Sequence, residues 1–506
     1  MTAERIQALL MHPEDDVALA VVDLAAGNVV QVNGCSVRLT QFIPWGHKFA
    51  LHSITCGERV LKYGQSIGRA TADIAPGEHV HTHNLESLRG RGDLSQLPQA
   101  TPAQVAPVTS RHTFRAPPTD MATFQGYRRK DGRVGVRNHV LVLASVECAN
   151  AVVEHIGQAV PGVVAIAHVY GCSQIGADLA QTQRVLEEFA LHPNVGAVLL
   201  VGLGCETIPT IAMSERLATR GVLLRKLIIQ DEGGSRATAR RGIAIAQELS
   251  QEASGARREP SRLSELVVAV ECGGSDAWSG VTANPAVGVA SDMIVQAGGT
   301  LILSEVPEFI GAEHLLAARA ADPWLARQIV DAVIRREQEA NRMGMDMRGS
   351  QPTPGNMAGG LTTIEEKSLG TIYKGGSSPV REFVPYAHRP AQRGLVIMDT
   401  PGNDPESVTA MVVGGAQVVV FTTGRGSPTG CPIAPVIKVA TNTAMYERLR
   451  DDMDVNAGTI ISEGEPTEGV GQRILQEIVA VANGKLTAAE TWQHKEFAIS
   501  VIGPRL

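Results

Sequence analysis

Aromatic residues are scarce in this 506-residue chain: 4 Trp, 6 Tyr and 9 Phe, beside 52 Gly. That profile argues against a β-sandwich and for a loop-rich α/β protein. Basic runs are missing too. The net charge is −7, so neither nucleic acid nor a membrane surface is an expected partner. No apolar stretch reaches the ~18 residues that a membrane span needs. The N-terminal MTAERIQALLMHPEDD lacks the charged-then-apolar order of a signal peptide. Seven cysteines, an odd number set in buried-type runs, do not read as a disulfide scaffold. Together these absences predict a cytoplasmic protein with reduced thiols. The length exceeds what one core supports and suggests about three domains.

What the chain does have is four apolar runs that each end on a cysteine. LVLASVEC stops at Cys148, VVAIAHVYGC at Cys172, VGAVLLVGLGC at Cys205 and LVVAVEC at Cys272. Each reads as a buried strand with its thiol at or just past the C-terminal end. If the strands run parallel in one sheet, all four sulfurs reach the edge where open α/β sheets bind ligands. Four sulfurs there predict a soft-metal site, read first as iron. Asp276 and Glu206, each close to a cysteine, are oxygen-ligand candidates, with loop hydrogen bonding as the competing role.

Residues 1–88 read as a small β-rich domain of short strands punctuated by Gly and Pro. A Pro-interrupted polar stretch, 89–125, reads as a linker. In 126–255, strand-like runs alternate with helical segments, which implies βαβ units and a mainly parallel sheet. The polar stretch 251–264 is a second boundary, and 265–506 is a further α/β region. Its clearest helix is PWLARQIVDAVIRREQEANRMG, with Leu325, Ile329, Val333 and Ile334 on one face.

Several blocks resemble the galactarate/altronate dehydratase family: GYRRKDGRVGVRN, HVYGCSQIGADLAQT, ECGGSDAWSGVTANPAVG, TPGNMAGGLTTIEEKSLG and FTTGRGSP. PWGHKFAL and HVHTHN resemble its altronate branch. The resemblance implies an iron-dependent enzyme that removes water from a sugar acid to give a 2-keto-3-deoxy acid. It also implies a β-clip domain of the SAF type, a middle domain and a Rossmann-like C-terminal domain, assembled as a homodimer. Altronate is the expected substrate; galactarate, another aldonate or sulfolactate are the alternatives within the same machinery. A non-catalytic sugar-acid binder is the reading from another class.

Such a dehydration takes a proton from the carbon beside the carboxylate and expels hydroxide from the next carbon. It needs a base, a Lewis acid or proton donor for the leaving group, and cations for the carboxylate. The iron is expected as Fe(II) or as a [4Fe–4S] cluster on a subset of the four cysteines. In HVHTHN a strand would turn His79, His81 and His83 to one side; His79 is the metal-ligand candidate, and His81 and His83 are the base or relay. His47, in PWGHKFAL, joins them as a catalytic candidate. Arg137, Arg425 and Lys438 are the carboxylate binders, Arg being suited to bidentate pairing. The loops GRGSP and ECGGSD are expected to offer N–H groups to an anion. The run DDMD reads as a solvated face or helix start rather than a cation site.

Overall fold

The computed structural model describes residues 6–91 and 121–503. Most of the expected linker therefore lies outside the described residues. Its last part does not: Thr123–Arg128 is a strand, paired antiparallel with Glu259–Arg262 from the second expected boundary. Phe124 and Ser261, paired in that ladder, are both buried. Alternation along these polar segments thus zips the two connectors together instead of leaving them unpaired.

The N-terminal domain is built on one turn used four times. Leu24, Ile43, Ile54 and Ile74 are buried, and each precedes by three residues a glycine of positive φ: Gly27, Gly46, Gly57 and Gly77 at +83°, +79°, +91° and +79°. A short strand follows each turn: Val29–Val32, Lys48–Ala50, Arg59–Lys62 and His79–Val80. The apolar residue anchors the turn in the core, and the glycine takes a backbone shape that side chains disfavour. Leu24 bridges Ile43 and Ile54 bridges Ile74, so the turns close in pairs. Lys48–Ala50 then pairs antiparallel with His79–Val80.

The middle domain is a parallel sheet in the order Val163–Ile166, His139–Ala144, Val195–Gly202, Leu224–Ile228, covered by helices that include Asn150–Ala159 and Ser235–Ser254. The C-terminal domain is a seven-stranded parallel sheet. Its order is Val380–Val384, Gly394–Met398, Thr300–Leu303, Val267–Cys272, Val418–Thr423, Val436–Ala440, Val455–Asn456. From Val267–Cys272 the chain first builds one side and then, at Val418–Thr423, the other. The crevice between those two central strands is the topological switch point. The helix Pro323–Arg342 forms where its apolar face predicts. Asp322 caps it by accepting Leu325 N–H at 2.9 Å, and Leu325, Ile329 and Val333 are buried. No helix among the described residues is long and apolar enough to cross a membrane.

The four cysteine-tipped strands do not share a sheet. Those leading to Cys148, Cys172 and Cys205 are neighbours in the middle domain, whereas Cys272 ends the central strand of the C-terminal domain. Equal strand-end placement holds for all four, but the polar boundary at 251–264 separates the fourth from the rest.

Candidate active site and metal-ligating groups

Three thiols gather at the carboxyl edge of the middle sheet. Cys148 lies in a short helical turn, Glu147–Ala149, and Cys172 and Cys205 lie in the loops after the two neighbouring strands. Backbone hydrogen bonds stitch these loops together: Glu147 N to Tyr170 O at 3.0 Å and Thr207 N to Gly171 O at 3.2 Å. Gly171, at φ +93°, has no room for a side chain, since a Cβ there would stand 2.3 Å from Ser145 O. His168 props the same loop by donating from Nε2 to Ala144 O at 2.7 Å and accepting from Tyr170 N at 3.1 Å. Cys148 and Cys205 are exposed, Cys172 is half-buried, and all three are free. Burial would raise the Glu206 carboxyl, but hydrogen bonds from Thr210 and then Gly204 N outweigh it and hold it low. Those bonds, with Ser145 at 3.4 Å, make Glu206 a loop brace.

This donor set suits iron. Soft thiolates select iron–sulfur centres, and no ion pair or disulfide already satisfies these sulfurs among the described residues. The three sulfurs do not all lie within 4.8 Å of one another.

Cys272 is in a different environment. Its thiol lies 3.0 Å from Glu308 Oε2 and 3.0 Å from Lys374 Nζ, wholly buried. Lys374 also pairs with Glu305 at 2.5 Å and Lys367 with Glu308 at 2.6 Å. Burial, then Glu305 and Glu308, push the thiol's pKa well up. Two ammonium groups thus already compensate the Cys272–Glu305–Glu308 set, which corrects the grouping of Cys272 with the other three. On the neighbouring face Glu271, Glu305 and Asp404 bring carboxylate oxygens within 4.8 Å of one another, an arrangement with the chemistry of a hard-cation site.

Four of the small domain's six histidines, His47, His79, His81 and His83, form one cluster. His47 Nδ1 lies 3.0 Å from His79 Nε2, because the strand after the second turn pairs with the strand after the fourth. His81 stands edge-on to His47 at 4.9 Å between ring centres, and His83 lies 5.4 Å from His79. The strand expected through HVHTHN stops at Val80. Asn84 closes a turn instead, accepting His81 N–H and donating to His79 O, each at 2.9 Å. The imidazoles meet all the same, through the turn. Burial, then His47, lower His79 to about 3, and burial, then Lys48, lower His81 to about 4. Both rings are neutral at neutral pH. His79 is occupied by His47 rather than poised as a lone metal ligand. His83 is exposed and makes no hydrogen bond among the described residues.

This cluster sits where the small domain docks on the C-terminal domain. Lys48 Nζ donates to Gly360 O at 2.8 Å, to Thr362 Oγ1 at 2.7 Å and to Glu366 Oε2 at 2.9 Å. Lys62 reaches the other Glu366 oxygen at 2.8 Å. Burial would raise Glu366, but Lys48 and then Lys62 outweigh it and hold it at about 2. Gly360, at φ +95°, lets the Gly46 carbonyl approach to 2.2 Å of where a Cβ would be. Trp278 stacks on Trp45 at 5.2 Å. His81 and Gly46 thus dock on the segment around Gly360 and Thr362, which packs on Asp276 of the loop after Val267–Cys272, and Asp276 lies in turn against Gly424 of the loop after Val418–Thr423.

The remaining candidates separate. Arg425 is exposed on the crevice loop and makes no ion pair among the described residues. Arg137 precedes its strand, at the opposite edge from the thiols, and is engaged by Glu490 at 2.7 and 2.8 Å. It is a domain clamp rather than a substrate binder. Asp276 is buried with both oxygens filled, by Trp278 N, Ser279 and, at 3.0 Å, Thr441 Oγ1. It ties its loop down and offers no open lone pair for a metal. The anion nest expected at ECGGSD is likewise used internally, Gly274 N donating to Ser427 Oγ at 2.9 Å. Lys438 lies in mid-strand, fully buried, with Nζ 3.4 Å above the Phe421 ring and no hydrogen-bond partner among the described residues. It does not reach a sheet edge. Asp454 of DDMD braces Lys438 N and Ala488 N, as a structural carboxylate. Lys48, Thr362, Glu366, Glu305, Glu308, Lys374 and Asp404 were not foreseen. Their one signal was charge inside otherwise apolar text, as in PWGHKFAL and TTIEEKSLG.

Buried charged networks, a cluster of imidazoles at a domain junction and strand-end thiols are the kind of groups that active sites gather. Three family models match in succession: the altronate/galactarate dehydratase SAF domain over 6–88, the D-galactarate dehydratase/altronate hydrolase second domain over 126–254, and the D-galactarate/altronate dehydratase C-terminal domain over 263–504. The altronate dehydratase of Bacillus subtilis (strain 168) is 37% identical over 98% of this chain and 99% of its own length. That of Escherichia coli (strain K12) is 37% identical over 99% and 100%. The galactarate dehydratase (L-threo-forming) of Escherichia coli (strain K12) is 37% identical over 97% and 95%. The chain belongs to the D-galactarate/altronate dehydratase family and is a hydro-lyase.

Proposed function

We propose that this enzyme dehydrates D-altronate to 2-keto-3-deoxy-D-gluconate in the crevice between the histidine cluster and the Arg425 loop, with an iron–sulfur cluster on Cys148, Cys172 and Cys205. Four imidazoles gathered at the docking face of the small domain are the observation that carries it. The altronate assignment is supported by the PWGHKFAL and HVHTHN blocks and by the near-complete coverage of two altronate dehydratases.

Arg425, exposed and without an ion pair among the described residues, takes the substrate carboxylate as a bidentate partner. Its charge stabilises the negative charge that develops there as the adjacent proton leaves. His83, exposed and unengaged, accepts that proton; His47 and His79 are held by each other. The C-terminal segment ties the crevice loop to the loop that carries Cys172. Gly430 N is bound to Glu496 at 2.7 Å, and a few residues on Ile499 holds Tyr170, two residues before Cys172. When bound, iron supplies a Lewis acid for a hydroxyl oxygen.

Anaerobic purification with iron and sulfide quantification, followed by assay on altronate, galactarate and sulfolactate with 2-keto acid readout, tests the reading. Iron and sulfide should fall in Cys148→Ser, Cys172→Ser and Cys205→Ser and persist in Cys272→Ser. Retention of iron in the first three, or its loss only in the last, overturns the assignment. His83→Gln should lower kcat about 100-fold; wild-type turnover would remove the base.

A further inference from the structure

We propose that His81 acts as a neutral N–H donor through Nε2, and that Lys48 and Thr362 are the positioning residues that hold it in that tautomer. The catalytic half of this rests on the dehydratase reading above; the tautomer does not.

The protons available at Thr362 fix the tautomer. Thr362 Oγ1 has a single hydrogen to give. Lys48 Nζ, a donor that accepts nothing when charged, spends one of its hydrogens on Oγ1 at 2.7 Å and the others on Gly360 O and Glu366. The hydroxyl is thus an acceptor toward Lys48, and its own hydrogen needs an acceptor. Among the described residues the only other group on Oγ1 is His81 Nδ1, at 3.2 Å. Were Nδ1 protonated, the hydroxyl hydrogen would be left without a partner at a residue only 5% exposed, a cost that buried polar groups rarely carry. Nδ1 therefore accepts, and the ring hydrogen sits on Nε2. Nε2 has no hydrogen-bond partner among the described residues, and His81 is half-buried, so that N–H is available to a ligand.

The arrangement has a further consequence. A charged lysine one hydroxyl away disfavours a second positive charge on the ring, so His81 works as a hydrogen-bond donor and not as a proton acceptor. In the crevice it can donate to an oxygen of the substrate carboxylate as charge gathers there, without surrendering its proton. The base must then be another member of the cluster, as assigned to His83. Glu366 completes the device by anchoring Lys48, with Lys62 on its other oxygen.

Nitrogen-15 spectra of histidine-labelled holoenzyme, with His81 identified by its loss in His81→Gln, read the tautomer directly. Wild type should show a pyrrole-like Nε2 and a pyridine-like Nδ1. Thr362→Val should abolish that preference and lower kcat about tenfold or more with little change in KM, while Thr362→Ser restores both. A protonated Nδ1 in wild type, or a Thr362→Val enzyme with unchanged spectrum and kcat, overturns the proposal. If no sugar acid is turned over, the dehydratase reading fails, and the spectra still decide the tautomer.

Discussion

Lys438 shows how one side chain can carry a charge problem through the whole fold. It lies in register with Phe421, and Phe421 with Glu271, on three neighbouring strands. Burial lowers its pKa to about 7, with Asp404 acting in the other direction. Burial, then Glu305 and Glu308, raise Asp404 to about 7. An unfolded lysine near its ordinary 10.5 binds a proton that the folded one has released, so stability rises with pH between about 7 and 10. At about 1.4 kcal/mol per unit, the protonated amine costs the folded state roughly 5 kcal/mol below pH 7. Lys438→Met should remove that rise. Denaturation midpoints at pH 6.5 and 9 check it: wild type should gain stability relative to the variant at the higher pH, and parallel curves would refute the placement. The sequence places Lys438 between Ile437 and Val439 in VIKVAT without hinting that its amine is buried, because a run of β-formers fixes the strand but not the depth of its middle residue.

At the scale of elements, the strand and helix plan was legible and the turns were not. Apolar runs identify both parallel sheets, since strands covered on both faces must be apolar throughout. The split of the four cysteines three to one was invisible, because strand-end position says nothing about which sheet a strand joins. The fourfold turn of the small domain escaped notice for a related reason. Its repeat is a buried aliphatic three residues before a glycine, too sparse to stand out, yet it is what sets His47 beside His79. The same domain is latched to the helix Ile364–Thr371 by Lys48 and Lys62 on Glu366. Glu366→Gln leaves two buried lysines without their carboxylate and should cost about 3–5 kcal/mol. Because Glu366 is held at about 2, its stabilising contribution is fully present above about pH 4.5 and fades as the pH falls toward 2. Urea titrations at pH 7 and pH 3 should therefore show a smaller gap between wild type and variant at the lower pH; an equal gap would mean that the lysines find other partners.

For the whole molecule, the cores do not respect the domain boundaries. Ala50, Val60, Ile67 and Leu85 of the small domain belong to one continuous apolar cluster with Val268, Val270 and Leu301 of the C-terminal sheet. Leu141, Leu143 and Leu200 of the middle sheet join Ala269, Val396 and Phe421 in a second. The outer face of the middle domain, around Val142, Ile156 and Leu249, has a cluster of its own, as does the far side of the small domain around Leu24, Val30, Ile43 and Phe49. Arg89 adds a charged strut, donating to Glu313 and Glu337 at 2.6 Å each. Burial that is shared between domains is lost all at once, so the small domain cannot open without exposing part of the C-terminal core. Calorimetry of the full chain should show the small and C-terminal domains melting in one transition. Hydrogen exchange should find Phe49 and Val80 amides as protected as those of Val268 and Val420, with the outer middle-domain helix Ser235–Ser254 exchanging sooner. A separate early melt of the small domain would show that its docking face, and with it the histidine wall of the crevice, is a mobile lid. The distinction matters for the chemistry, because a tautomer fixed by Thr362 persists only while that face stays closed.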